Sequence, residues 1–300
     1  MKRISSMIIG LGLLTSFALV AQQPAAKVDS SLTALDHKIE VYQKENIPYK
    51  SPIPYSFVRE QDVFKEWIVY RWVDLREKAN LSLFYPTEPI GSRINLINVL
   101  MKGVDNGEIT PYDPSDLKNE FARAMSIEEL DERLGAGVRA IADYNEYGER
   151  LEDKMIQMSR QLNDVKLLLV KEKIYFDKRR SALNRVVIGI CPIREYAKDL
   201  GGDEGGEGNV EKKLVMWVYM PEARDILARH PIYNRFNDAQ NISFDDFFMQ
   251  NMYRGRIYGT ANVYNNRTIG EYAGTTEDAL YESQRIEMEI FNFEQDLWEY

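Results

Sequence analysis

Two β-rich runs separated by a glycine-acid stretch constrain the fold of this 300-residue chain more than any other feature. Arg185 to Cys191 is the first. After Gly201-Gly202-Asp203-Glu204-Gly205-Gly206-Glu207-Gly208-Asn209 comes the second, Lys213 to Met220. In the second run Leu214, Met216 and Val218 alternate with Val215, Trp217 and Tyr219, so both faces are apolar. A half-solvated strand alternates apolar with polar residues, whereas a strand apolar on both faces belongs to a sheet covered on both. A long glycine-rich connection at about 199–210 lets the two runs lie as antiparallel neighbours. Pro192 is expected to stop the first of them. The single cysteine, Cys191, forbids an internal disulfide, so the fold rests on its core. A chain near 300 residues is long enough for that, burying roughly three-quarters of its unfolded surface.

Helices are announced by their caps. Ser126-Ile127-Glu128-Glu129 and Ser243-Phe244-Asp245-Asp246 have the capping-box layout, placing helices to about Leu134 and about Tyr253. Pro221-Glu222-Ala223-Arg224 opens another with proline near its first position, and Pro231 ends it. Ile94, Ile97 and Met101 predict a short helix over Ile94 to Lys102, ended by Gly103. Asp62 to Trp67 reads as a helical turn, Ile68 to Asp74 as a strand, and Gly107 to Tyr112 as a turn and brief strand. The charged middle, Tyr144 to Arg185, reads as partly helical. Thr275-Thr276-Glu277-Asp278 caps the last and longest helix, which runs towards Trp298. The pattern is α+β: a small, mainly antiparallel sheet flanked by helices, with a long C-terminal helix.

The N-terminus is an address. Lys2 and Arg3 precede an apolar stretch from Met7 to Val20; small Ala18 near its end and Ala21 just after it, then Gln22 and Gln23, mark the cleavage region. This is the layout of a secretory signal peptide, residues 1–21, cut near Ala21. The apolar stretch is short of the ~20 residues a spanning helix requires, although an uncleaved anchor is the competing reading. Residues 22–57 form an extended arm punctuated by Pro24, Pro48, Pro52 and Pro54. Leu32, Leu35, Ile39 and Tyr42 repeat at helical spacing within it. Whether the arm is a free tether, packs on its own body or packs on a neighbour is open at this point. Residues 58–300 make a single domain.

The net charge of −9 argues against nucleic acid, whose binders carry basic faces. Catalytic sets are scarce. The two histidines, His37 and His230, are far apart and lack H-x-x-x-H spacing. No G-x-S-x-G elbow or phosphate loop occurs. The glycine-acid stretch lacks the D-x-[DN]-x-[DN]-G calcium pattern. Cys191 sits among apolar neighbours, where a cysteine is a small hydrophobe. No cofactor, metal or catalytic residue is therefore assigned. Asp245 and Asp246 beside Phe244, Phe247 and Phe248 leave a carboxylate-dependent hydrolase as one alternative, and a soluble periplasmic chaperone as another.

The strongest signal is in the C-terminal helix. Ala279, Ser283, Ile286, Ile290, Phe293, Leu297 and Tyr300 follow the 4-3 alternation of a helix–helix seam, with Phe291 and Trp298 flanking it. Burying Ile286, Ile290, Phe293 and Leu297 contributes roughly 6–12 kcal/mol as an upper figure. Either this helix packs on its own sheet, or Ile286, Ile290, Phe291, Phe293, Leu297, Trp298 and Tyr300 supply an interface with a neighbouring subunit. Charge bears on the second reading. Glu277 to Tyr300 holds eight acids against Arg285, while Lys154 to Arg185 holds nine basic residues and three acids. Such segregation pairs within one chain or steers the tail of one copy to the middle of the next, head to tail.

An ordered set of segments resembles the gliding-motility protein N family of Bacteroidota (GldN, or PorN in non-gliding relatives). They are Val58-Arg59-Glu60, Asp74-Leu75-Arg76-Glu77-Lys78, Leu83-Phe84-Tyr85-Pro86, Phe176-Asp177-Lys178, Ile188-Gly189-Ile190, Pro221-Glu222-Ala223-Arg224, Tyr233-Asn234-Arg235-Phe236-Asn237-Asp238-Ala239, Ser243-Phe244-Asp245-Asp246, Ile290-Phe291-Asn292-Phe293-Glu294 and Asp296-Leu297-Trp298-Glu299-Tyr300. The resemblance spans about residues 58–300. It implies a periplasmic structural component of the type IX secretion system. Family members assemble in large rings beneath the outer membrane with a GldK/PorK-type lipoprotein, thought to meet periplasmic domains of the inner-membrane motor complex. The glycine-acid loop departs from the family pattern, and no catalytic residues come with the resemblance.

Overall fold

The computed structural model describes residues 46–116, 119–141, 154–197, 210–237, 239–263 and 266–296. The leader, the arm up to residue 45, most of the glycine-acid loop, and Leu297, Trp298 and Tyr300 lie outside the described residues. Along the chain come β1 (Val63–Asp74), α1 (Leu81–Phe84), α2 (Leu96–Asp105), β2 (Pro111–Tyr112), α3 (Ile127–Arg133), β3 (Gly137–Ile141) and β4 (Lys154–Met158). They are followed by β5 (Val165–Asp177), β6 (Ala182–Ala197), β7 (Val210–Leu214), β8 (Trp217–Tyr219), α4 (Met220–Ala228) and β9 (Pro231–Ile232). The last are β10 (Ile242–Ser243), α5 (Phe244–Met249), β11 (Arg256–Thr260), α6 (Ile269–Tyr272) and α7 (Thr276–Asp296). One antiparallel sheet dominates, in the order β11-β1-β5-β6-β8-β2, with β7 also paired to β6. The α+β class holds, with a mainly antiparallel sheet and a long C-terminal helix.

Strand parity explains the layers. In β1, Val69, Arg71 and Val73 share one face, as do Leu168, Val170, Glu172 and Ile174 in β5. On that face Val73, Val170, Ile190 and Val218 join the main core with Leu100 of α2, Leu227 of α4 and Phe244 and Phe248 of α5. Val69, Ile174 and Ile257 join a second core with Ile286 and Ile290 of α7. The two cores meet at a buried ionic cluster. Arg71 Nε lies 3.0 Å from Glu172 Oε1, Tyr253 donates its hydroxyl to that oxygen at 2.9 Å, and Arg71 also reaches Glu287 of α7 at 3.2 Å. Buried charge is tolerated here because each group is paired. The opposite face is aromatic, with Tyr70, Trp72, Phe121 and Trp217 around Leu169, Cys191 and Ile193.

Two glycines are dictated by close approach. A Cβ on Gly189 would fall 2.6 Å from the Phe121 ring, so the Ile188-Gly189-Ile190 segment makes room for the segment that covers the aromatic face. A Cβ on Gly255 would lie 2.3 Å from the Trp72 carbonyl oxygen, where the chain turns into β11 against β1.

Several expectations are corrected. Gly103 does not end α2, which runs through it to Asp105, and α5 stops at Met249, short of Tyr253. The described part of Tyr144 to Arg185 contains no α-helix: it is β4, β5 and the start of β6, joined by a short link with a 3-10 turn at Leu162–Asp164 and by a turn over 178–181. Its charges suggested a solvated helix, but in β5 they alternate between faces: Glu172 turns inward to Arg71, and Lys171 outward to Glu120 at 2.9 Å. Asp62 to Trp67 is likewise not helical, because a 3-10 turn over Glu60–Asp62 gives way at once to β1. Nor does Pro192 end its strand; β6 runs on to Ala197. The missing N–H falls where the neighbour of β6 changes from β8 to β7, and the Pro192 carbonyl accepts from Val215 N–H at 2.9 Å. The two runs do pair antiparallel, through β6–β7 and β6–β8.

Candidate functional site

Thr275 caps α7, its Oγ1 accepting from Asp278 N–H at 3.1 Å, and the 21-residue helix lies over β1, β5 and β11. Ser283, Ile286 and Ile290 are buried against Val69, Ile174 and Ile257. Phe293 meets Trp67 edge-on at 5.1 Å, Phe176 edge-on at 6.0 Å and Phe64 in a stack at 6.2 Å. Lys65 Nζ sits 4.4 Å from the Trp67 ring and 3.4 Å from Glu289. Of the seven residues singled out in the sequence, Ile286, Ile290 and Phe293 thus face the chain's own sheet. Phe291 points away and is 50 % exposed. Leu297, Trp298 and Tyr300 lie outside the described residues.

Phe291 is one of a second row. Leu280, Met288 and Phe291 recur with Gln284 and Gln295 at steps of four and three, and Tyr281 lies beside them. All four apolar members are exposed. This outer stripe was visible at the same helical period as the inner seam.

The acids Asp245 and Asp246 serve the arm. Asp245 is fully engaged by Arg224 of α4, with Nε at 2.8 Å and Nη2 at 3.0 Å, and both side chains are buried. The same guanidinium donates to the Ile53 carbonyl and lies 4.2 Å from the Tyr55 ring. Asp246 completes the α5 capping box with Ser243 and binds Lys50 Nζ at 2.7 Å. Burial alone would raise its pKa; the Lys50 ammonium and the Ser243 N–H and hydroxyl hold it below the ordinary carboxylate value. Ile47 is buried. The described part of the arm, 46–57, is therefore strapped onto α4 and α5 by residues of the Pro221–Arg224 and Ser243–Asp246 segments. Neither carboxylate is left open for acid–base chemistry.

Other reactive groups are equally committed. Cys191 is fully buried, and burial pushes its thiol far above the ordinary range. His230 donates through Nδ1 to the Ile226 carbonyl at 2.8 Å, and burial lowers its pKa, so it caps α4 as a neutral ring. The basic middle segment has spent much of its charge internally. Arg160 pairs with Asp105 and Asp131, Lys171 with Glu120, Lys173 with Glu66, and Arg185 with Glu172.

A cleft of about 300 Å³ opens elsewhere, between α1 and β9. Its walls include Leu81, Tyr85, Pro86, Ile90, Arg93 and Tyr233. Tyr85, Ile90, Tyr233 and the adjacent Phe236 are half or more exposed. Arg93 lies 6.0 Å from the Tyr233 ring, and Arg235 lies 4.7 Å from the Phe236 ring while donating to the Lys78 carbonyl at 2.7 Å. The cleft joins two segments far apart in sequence, one from Leu81 to Ile94 and one from Pro231 to Tyr233. Among the described residues, no helix is long and apolar enough to cross a membrane.

No curated protein matches the chain. The family model for gliding motility associated protein GldN matches it over residues 58–299. That span contains β1 through α7, the arm-clamping Arg224, Asp245 and Asp246, and the cleft, and it makes the chain a member of the GldN family, a component of the gliding-motility and type IX secretion machinery.

Proposed function

We propose that the protein is a structural, non-catalytic subunit of the type IX secretion apparatus in the periplasm. It is exported by a signal peptide cut near Ala21 and begins near Gln22. It associates with the outer membrane through a GldK/PorK-type lipoprotein, forms a ring with further copies of itself, and meets periplasmic domains of the inner-membrane motor complex. The observation that carries this reading is the outer stripe of α7. A helix already seated by Ile286, Ile290 and Phe293 still presents Leu280, Tyr281, Met288 and Phe291 to solvent, and apolar rows of that kind mark protein interfaces. The engagement of Asp245 by Arg224 and of Asp246 by Lys50 and Ser243 supports a structural role for the acids that a hydrolase would use.

The test is affinity purification of the tagged protein from its native envelope, with electron microscopy of the eluate. The lipoprotein should co-purify in stoichiometric amounts within large particles, and deletion of the gene should block cargo export. A lone, monodisperse protein whose loss leaves export intact would refute the reading.

A further inference from the structure

The outer stripe of α7 is uncharged between Leu280 and Gln295, but one of its borders is acidic. Glu287 and Glu294 run along one side; on the other come Tyr281, Asn292 and Arg285, with Glu289 and Asp296 further round the helix. Glu287 is turned to Arg71 and Glu289 to Lys65 and Arg285, while Glu294 and Asp296 have no cation partner among the described residues. The α1–β9 cleft is the converse. It is lined by Tyr85, Ile90 and Tyr233, with Phe236 on the adjoining segment; Arg93 in its wall and Arg235 beside Phe236 are exposed with no carboxylate partner among the described residues, and Glu88 is an exposed acid between Pro86 and Ile90 in sequence.

We propose that these surfaces are the two halves of one contact between copies: the C-terminal half of α7 seats Met288 and Phe291 in the cleft of the next copy, with Glu294 facing Arg93 and Arg235. Charge selects this pairing over the alternatives. Two α7 stripes laid together would oppose acid to acid, and two clefts would oppose arginine to arginine; only the mixed contact is complementary. The basic Lys154–Arg185 segment, the recipient suggested by its charge count, is a poorer target because so many of its cations are bound inside the chain. A contact between two different patches repeats from copy to copy and closes into a ring when the rotation allows. The proposal rests on the reading of the protein as an assembly subunit and specifies the surfaces through which its copies meet.

Cysteine pairing in the native envelope tests it, since the sole native thiol, Cys191, is buried. A chain carrying both Phe291→Cys and Tyr233→Cys should give a ladder of disulfide-linked multimers on mild oxidation. The two single variants co-expressed should give dimers only, and Phe291→Cys alone should give none. Particles that contain several copies yet yield no 291–233 link, or that link 291 to 291, would overturn the proposal. Independently, Arg93→Glu should reduce the particles to small species while lipoprotein co-purification persists, and Glu294→Arg added to it should restore them. Particles unaffected by Arg93→Glu also overturn it, with the functional reading left standing. Wild-type protein that neither assembles nor retains the lipoprotein would remove that functional reading as well.

Discussion

Replacing Arg224 with methionine should separate the stability of the body from the docking of the arm. The Arg224–Asp245 pair is two-pronged and buried, so removing the arginine strands a carboxylate that is 2 % exposed and has no other hydrogen-bond donor among the described residues. Breaking one side of a buried pair costs about 3–5 kcal/mol. The arm also loses a charged donor at the Ile53 carbonyl and a cation over Tyr55, together about 2–4 kcal/mol of local anchoring. In the double variant Arg224→Met with Asp245→Leu, the stranded charge is gone, and most of the 3–5 kcal/mol should return. The arm contacts do not return, because nothing replaces the guanidinium. Urea unfolding measures the first quantity, and amide exchange of peptides covering 46–57 measures the second. The single variant should be strongly destabilised with a rapidly exchanging arm. The double variant should be near wild-type in midpoint but equally unprotected in the arm. A loss below about 1 kcal/mol in the single variant, or an arm still protected in the double, would refute the clamp.

Ile290→Ala should cost about 2–5 kcal/mol in the same unfolding assay, whereas Phe291→Ala on the outward stripe should stay within about 0.5 kcal/mol; equal losses would show that α7 is seated differently. Glu172→Gln should destabilise by roughly 3 kcal/mol, because Arg71 is left buried with its remaining acid on the rim of the site. Asp246 titrates below the ordinary carboxylate value of about 4, so the Lys50 anchor is fully present above pH ~4 and is lost as the pH falls through that lower folded value. Exchange protection of residues 46–52 should fall in that acid window and be insensitive to pH in Lys50→Met. Cys191 should resist thiol reagents at pH 8 in the native state and react once the protein is unfolded in denaturant.

Legibility in the sequence followed the range of the interaction. The apolar seam of α7, the caps at Ser126, Ser243 and Thr275, and the doubly apolar run around Trp217 were all readable, because helical period, strand alternation and capping are decided within a few residues. The outer stripe through Met288 and Phe291 was readable on the same terms, but only the seating of the inner seam showed which row stays outside. The charged middle misled because Lys171, Glu172 and Lys173 look like solvated helix until the opposing strands are known. Pro192 misled because a strand tolerates proline where its neighbour changes.

By itself, then, the sequence determined the class of the fold, the caps at which α3, α5 and α7 begin, and the family pattern. The tertiary structure decided what each charge is for. Arg224 finds Asp245 across 21 residues, Arg71 finds Glu172 across 101, and Lys50 finds Asp246 across 196. Such pairings depend on where the chain returns in space, and no local periodicity encodes them; this is why acids that read as a possible catalytic pair emerged as the fastening of the arm.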